Sequence, residues 1–548
     1  MKKILGAAMG TCVHVGGLYH FLKIAETEGF YSILLGPAVP INRIVDAILR
    51  EKPEITAISY RLTPEIASTL FEELAKALKA NNLTKSRLIF GGTPPVAALA
   101  RKCNLFERSF DGSESLSEIH SFLRGTSADS AKKKYASDLI SRIRENYPYP
   151  ILRHHFGRPT MEETLKGIKE IALSGVLDVI SIGPDQNAQE HFFRPDEMHH
   201  NQTGAGGVPV RSSKDMAALY EASRCGNYPL MRCYAGTRDL LKWAEMSVKT
   251  IHNAWGAIPL CWYSRLDGRS NRSLEDAITE NQRVMAWYSR HNIPVEVNES
   301  HQWSLRDAHD SLAVAMAYLA AYNAKKMGVR NYIAQFMFNT PPGTNPSMDL
   351  AKMAAKLELI CELEDDSFTV FREVRAGIAH FSPMPFIAKG QLAASAMISL
   401  SMKPHILHVV GFSEGDHATF PGELIESCQI VHGVIRNSLN GLPDVWSDDN
   451  ILSRKSELVY EAKVLIESLN YLGADCDDPK AEPYIIAKAI KEGFLDTPHF
   501  KGVPHLCGDI ITGLLNGAWY AINPSTGESI DEESRLSGII NRLSNNNL

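Results

Sequence analysis

The sequence has no CxxC pair, no long basic run and no apolar stretch of bilayer length, and each absence removes a class of protein. Its nine cysteines, at 12, 103, 225, 233, 261, 361, 428, 476 and 507, are scattered. That spacing argues against a disulfide framework or a structural zinc and suits reduced thiols. With a net charge of −6 and only Lys132–Lys134 as a basic cluster, nucleic acid and anionic membranes are not expected partners. Uninterrupted apolar runs of about 18 residues are missing. Lys2 and Lys3 ahead of an apolar stretch resemble a signal peptide, but His14 interrupts that stretch. A cytoplasmic protein is expected.

What is present is alternation. A chain of 548 residues, 44% hydrophobic and 22% charged, is expected to fold as two or three domains. Over residues 1–125, strand-like KKILGAAMG, YSILLG, EITAISY and SRLIFGG alternate with helical stretches such as INRIVDAILREK. This is the pattern of a doubly wound, flavodoxin-like parallel sheet. Residues 126–149 are polar and read as a linker. From 150 to 440, eight β-rich segments follow: ILRHHFG, VLDVISIGPD, YPLMRCYAG, AIPLCWY, PVEVNES, NYIAQFMF, GIAHFS and HILHVVGF. Helical patterns separate them, which is the arithmetic of a (β/α)8 TIM barrel; a larger doubly wound sheet is the alternative. Residues 441–548 read as a C-terminal extension packed on the barrel.

Ligands of doubly wound sheets sit at the carboxyl ends of strands. Three motifs fall there: Cys12-Val13-His14-Val15-Gly16-Gly17 after the first strand, Ser59-x-x-Leu62-Thr63 after the third, and Gly91-Gly92 after the fourth. Together they resemble the cobalamin-binding domain of methionine synthase and the B12-dependent mutases, which has Asp-x-His-x-x-Gly, Ser-x-Leu and Gly-Gly at these places. The resemblance covers roughly residues 1–125. It implies that His14 is the cobalt ligand and that Cys12, Val13, Gly16, Gly17, Ser59, Leu62, Thr63, Gly91 and Gly92 cradle the cofactor. Glycines there would admit the nucleotide tail where a Cβ would block it. One departure is chemical. Cys12 stands where the family has the aspartate that orients the imidazole, and a thiol is a weak hydrogen-bonding group.

The second domain resembles the large subunit of glutamate mutase over most of residues 150–525. RCYAGTRDLL (232–241), VNESHQW (297–303), GFSEGDHATFPGE (411–423) and AKAIKEGFLDTPHF (487–500) carry the likeness. The order of the two domains is that of the small and large mutase subunits fused in one chain. By this resemblance the barrel caps the corrin, Arg232 is one of three substrate-binding arginines, and the other two positions fall on His155 and Gln189. Glu299 matches an active-site glutamate, Tyr263 a strand-four tyrosine, and Glu414 a carboxylate that binds the adenosyl ribose. The lysine usually four residues before that carboxylate is Val410. His301 lies beside Glu299 at a strand end, where barrel active sites sit. His199–His200 match no zinc signature.

The expectation is an adenosylcobalamin-dependent carbon-skeleton mutase, with Glu299 and Tyr263 catalytic and with Arg232, His155, Gln189 and His301 binding a small carboxylic or amino acid other than glutamate. Glutamine and histidine cannot replace bidentate arginine–carboxylate pairs. Corrinoid-dependent methyl transfer and a non-catalytic cobalamin binder or sensor remain as alternatives. A homodimer is the expected assembly.

Overall fold

The computed structural model describes residues 2–114, 116–124, 135–234, 236, 238–439 and 441–546. The chain divides into two compact units, residues 1–134 and 135–548. Of the linker expected over 126–149, residues 126–134 lie outside the described ones, and Leu139–Asn146 is a helix of the second unit.

The first unit is a parallel sheet of β1 (Lys2–Ala8), β2 (Phe30–Leu34), β3 (Ile55–Ser59), β4 (Leu88–Gly91) and β5 (Arg108–Phe110), in the order β2-β1-β3-β4-β5. The central strands are continuously apolar because both faces are covered. Helices α1 (Gly16–Thr27) and α5 (Leu116–Arg124) pack on one face, through Leu18, Leu22 and Leu123. On the other lie α2 (Ile41–Glu51), α3 (Pro64–Ala80) and α4 (Pro94–Lys102), through Ile44, Phe71 and Val96. Pro64 and Pro94 begin their helices, where a missing N–H costs nothing. Strand β5 is only three residues long, in a polar stretch, and has no counterpart in the segments read from sequence. Order reverses between β1 and β3, so their carboxyl ends open a crevice.

The second unit is an eight-stranded parallel sheet. Its strands are β6 (Ile151–Phe156), β7 (Val179–Ile182), β8 (Leu230–Cys233), β9 (Gly256–Ile258), β10 (Val295–Val297), β11 (Asn331–Phe338), β12 (Thr369–Ala376) and β13 (Ile406–His408). β13 pairs with β6, and only the β8–β9 seam lacks a ladder, so the sheet is a nearly closed barrel. One of its strands differs from expectation. The seventh is TVFREVRA (369–376), not GIAHFS, whose Ile378–His380 forms a 3-10 turn. Three charges hide that strand from a search for apolar runs, and they are accommodated because Glu373 and Arg375 point into the barrel.

Helix α6 (Leu139–Asn146) closes the amino-terminal end, where Leu139 and Ile143 pack on Ile151, Val179, Leu230, Trp255, Ile333, Phe371 and Ile406. The C-terminal residues add helices Asp449–Leu472, Pro483–Lys491 and Glu532–Asn546 and the hairpin β14 (Ile511–Leu515) and β15 (Ala518–Ile522). Among the described residues no helix is long and apolar enough to cross a membrane.

The last helix is tied down at its first residue. Glu532, 1% exposed, lies 2.8 Å from His309 Nε2 and 2.7 Å from Arg535. Burial alone would raise its carboxyl, but Arg535 and His309 outweigh that and bring it down to about 2. A depressed carboxylate stabilises the fold above its unfolded pKa, and that contribution is lost as pH falls through the folded value. The midpoint of thermal unfolding is therefore expected to drop between about pH 4.5 and pH 2. In Glu532→Gln this fall should be shallower, and pepsin should cut the terminal helix already at pH 4.5. An identical pH profile in the variant would show that the tether contributes nothing.

Candidate functional site

In the first unit the carboxyl ends of β1, β3 and β4 border a cavity of about 640 Å³, lined by His14, Gly16, Gly17, Ser59, Tyr60, Gly91 and Gly92 together with Phe21, Ile24 and Phe110. The register aligns these groups, with Ala8 beside Ser59 and Ser59 beside Gly91. The Ser59 Oγ and Tyr60 hydroxyl are buried with no hydrogen-bond partner among the described residues. Groups of that kind are rare in folded proteins and point to a partner the chain itself does not supply.

The glycines separate into two kinds. A Cβ on Gly16, Gly17 or Gly91 would meet no atom within 4 Å, so packing does not require glycine there. A Cβ on Gly92 would lie 2.5 Å from the Tyr60 carbonyl oxygen, so that glycine serves the fold. His14 stands exposed just before α1, with no hydrogen-bond partner among the described residues. Cys12 is fully buried in the apolar core with Met9 and Val39. The thiol therefore neither orients the imidazole nor reaches the cavity, contrary to its expected place in the site. Val13 and Leu62, 61% and 41% exposed, and Thr63 at the head of α3 lie outside the cavity lining.

The barrel interior changes character along its axis. Five of the eight strands have an apolar residue near the amino end and a polar one two positions later on the same face, and two of them a second polar residue four positions later: Ile151, Arg153 and His155; Leu230 and Arg232; Ile333 and Gln335; Phe371, Glu373 and Arg375; Ile406 and His408. TIM-barrel interiors are ordinarily filled with branched apolar side chains. Here a charged lattice replaces them. Arg232 Nη2 donates to Glu296 Oε2 at 2.6 Å, as does the Trp255 indole N–H at 2.6 Å. Arg153 donates to Glu373, from Nε at 2.9 Å and from Nη2. The Gln335 amide bridges both carboxylates, at 2.8 and 3.1 Å.

Above the lattice a polar cavity of about 300 Å³ opens at the carboxyl ends of the strands. Its lining brings together five of the residues expected in the barrel site: His155, Gln189, Arg232, Tyr263 and His301. Sequence reading did not assign Arg269, Glu296, Gln335 or Arg375, which also line it. The missing signal was the period of two within strands, in which a charged residue follows the apolar one on the inner face.

His155 Nε2 lies 3.2 Å from Arg153 Nη1 and 3.1 Å from Arg232 Nη1. A guanidinium can only donate, so Nε2 accepts and the ring is neutral with its proton on Nδ1. Burial, then Arg153 and Arg232, hold His155 well below the ordinary histidine range. Burial and the neighbouring cations do the same to His301. Tyr263 adopts a φ of 63°, strained for a bulky residue. Its N–H donates to Asp267 at 3.1 Å and its carbonyl accepts from Ser270 Oγ at 3.0 Å, which holds the ring at the cavity. Burial pushes its hydroxyl up.

Two carboxylates expected in the site are elsewhere. Glu299 is 0% exposed and does not line the cavity. It accepts from Leu260 N at 2.7 Å, Cys261 N at 3.0 Å and Trp303 Nε1 at 2.8 Å. These bonds fix the loop after β9 and leave Glu299 no reach to a substrate. Glu414 also lies outside the lining and accepts from Gly411 N at 2.6 Å. Among the described residues no three His, Cys, Asp or Glu side chains converge as a metal-binding group.

No protein-family model matches the chain, and no curated protein matches it. Among solved structures, a cobalamin-binding protein from Desulfitobacterium hafniense is 29% identical over 22% of this chain, with a TM-score of 0.20, and the chain spans 58% of its length. A truncated 3-deoxy-D-arabino-heptulosonate 7-phosphate synthase from Thermotoga maritima is 12% identical over 53% of this chain and 88% of its own, with a TM-score of 0.31. A cobalamin-dependent S-adenosylmethionine radical enzyme is 11% identical over 90% and 76%, with a TM-score of 0.19. All three scores are low.

The two kinds of glycine differ in an observable way. Gly92→Ala is expected to destabilise the first unit by about 1–3 kcal/mol, the usual cost of forcing an atom into a packed site. Gly91→Ala should stay within about 0.5 kcal/mol of the parent. All seven tryptophans lie beyond residue 134, so hydrogen exchange of β1, β3 and β4 is the measurement, and equal loss of protection in both variants would contradict the assignment.

Proposed function

We propose that the chain is a corrinoid enzyme, with cobalamin held in the first unit and a small organic acid bound in the barrel cavity, and that its reaction is an adenosylcobalamin-dependent carbon-skeleton rearrangement. The observation that carries this reading is the cavity at the ends of β1, β3 and β4, where an unpartnered histidine and a buried orphan hydroxyl accompany glycines that packing does not need. Imidazole is a good cobalt ligand, so His14 would hold the metal. Ser59 Oγ and the backbone of Gly16, Gly17 and Gly91 would hold the nucleotide tail. Adenosylcobalamin, when bound, supplies a carbon-centred radical. The barrel's own residues bind and orient the substrate acid. Arg232 and Arg153, locked by Glu296 and Glu373, position His155, whose Nδ1–H is left to donate. Tyr263 and Tyr234 border the same cavity and narrow the space open to water.

One observation favours a second reading, corrinoid-dependent methyl transfer. One oxygen of Glu414 is taken by the Gly411 N–H of its own loop, which leaves only the other for an adenosyl ribose.

Two measurements test these readings. Cobalamin in its Co(II) state, bound to protein labelled with 15N-histidine, should show a doublet nitrogen splitting by EPR, and His14→Ala should abolish it. A triplet would mean that the cofactor's own base stays on cobalt, against the role given to His14. Gly91→Val should lower cobalamin affinity at least about tenfold, or 1.4 kcal/mol. With adenosylcobalamin and a panel of acids, an organic radical coupled to cobalt supports rearrangement. Turnover with methylcobalamin alone would favour the second reading.

A further inference from the structure

We infer that the barrel cavity is built for a dicarboxylic acid without an ammonium group. The inference deepens the proposed function and rests on it only for treating this cavity as the substrate site.

Charge at the cavity comes first. Four guanidiniums line it, those of Arg153, Arg232, Arg269 and Arg375. Two carboxylates oppose them, Glu296 within the lining and Glu373 beside Arg153. The histidines do not alter the balance, because His155 is fixed as a neutral acceptor between two guanidiniums and burial keeps His301 and His408 uncharged. Within the lining and its ion pairs two positive charges remain, and Glu414, outside the lining, offsets part of the one on Arg375.

They reside on particular residues. Arg153 and Arg232 are engaged by Glu373 and Glu296. Arg375 has no carboxylate within ion-pair distance among the described residues, and its Nε donates only to the Ala376 carbonyl, at 3.2 Å. Arg269 also lacks an ion pair among the described residues, and its guanidinium lies over the Tyr263 ring at 5.2 Å. Arg375 is on β12 and Arg269 follows β9, strands separated by two others in the sheet. Two separated cations suit two separated carboxylates better than one compact phosphate.

An ammonium finds no counterpart. Glu296 has both oxygens occupied, by Arg232 and Trp255 on one and Gln335 on the other. Glu299, expected among the catalytic residues, lies outside the lining and accepts from the N–H groups of the loop after β9. Asp267 is spent on the N–H groups of Tyr263 and Ser264. Among the described lining residues the acceptors left unpaired are amide oxygens, Gln335 Oε1 and Asn298 Oδ1; Glu373 Oε2 is unpaired as well, but it lies outside the lining on a carboxylate that Arg153 already holds. Such dipoles can receive a hydroxyl, but they do not offset the repulsion between an ammonium and two surplus guanidiniums.

The test uses the full chain without cofactor, so that it is independent of corrinoid binding. Calorimetric titrations at pH 7 would compare succinate, glutarate and adipate with aspartate, glutamate and 2-aminoadipate, with butyrate, and with inorganic phosphate. One of the diacids is expected to bind at least tenfold tighter than its amino counterpart and than butyrate. Arg269→Gln, at an exposed position, should weaken that diacid at least tenfold without moving the unfolding midpoint. Arg375→Lys should retain more affinity than Arg375→Gln. Equal or tighter binding of the amino acids would overturn the inference. So would phosphate binding above every diacid, no diacid binding at all, or unchanged affinity in Arg269→Gln. Diacid binding in a chain that takes up no cobalamin would overturn the proposed function and leave this inference standing.

Discussion

Beneath its cavity the barrel depends on one constraint, that the guanidiniums of Arg153 and Arg232 be matched by carboxylates at hydrogen-bonding distance. Arg153–Glu373 and Arg232–Glu296, joined through Gln335, meet it. Desolvating such ions costs several kcal/mol each, and pairs of this kind are often no more stable than apolar residues of the same size. Stability has to come from elsewhere, and the layer beneath supplies it. Ile151, Val179, Leu230, Ile333, Phe371 and Ile406 form an apolar floor sealed by α6. What the lattice contributes is position. It fixes the tautomer of His155 and holds Arg232 and Glu296 over Trp255, so the cavity is arranged before any ligand arrives.

The first unit meets a different requirement. Its cavity has charges at its lining, on Arg61, Asp111 and Glu114, but no lattice of paired guanidiniums like the barrel's among the described residues, and what distinguishes it is space kept open. A side chain on Gly16, Gly17 or Gly91 would touch nothing of the protein, yet these positions carry none. Ser59 Oγ ends a strand buried on every side and has no partner. An orphaned hydroxyl costs about 1–3 kcal/mol. Such a cost is easiest to understand where a ligand satisfies the group, and it coincides here with glycines that are otherwise unexplained.

Where the sequence was legible, periodicity made it so. Apolar runs such as KKILGAA and NYIAQFMF mark strands buried on both faces, and the histidine turn and Gly91-Gly92 fall at their carboxyl ends as read. Strand β12 was not legible by that rule. TVFREVRA looks like surface until its partners are known, since Glu373 is made compatible with burial by Arg153, on another strand far away in the chain, and Arg375 opens onto the cavity. Arg375 was missed for the same reason. Strand β5 escaped because three residues carry no period. Cys12 shows the opposite failure. Its place in a motif implied a polar role, whereas the backbone turns it into the core beside Met9.

Glu299 and Glu414 carry the same lesson into chemistry. Both occupy positions where the resemblance implies contact with substrate or cofactor, and both direct oxygens to backbone N–H groups of their own surroundings. Glu299 has two N–H groups and an indole on its oxygens, yet burial outweighs them and pushes its carboxyl up, towards the neutral form. Of the carboxylates, Glu296 alone lines the cavity among the described residues, while basic groups stand there on β6, β8 and β12. A fold and its motifs can persist while the charges facing the ligand are exchanged. In this chain Glu299 and Glu414 are bound within their own surroundings, while the guanidiniums of Arg153, Arg232, Arg269 and Arg375 line the cavity.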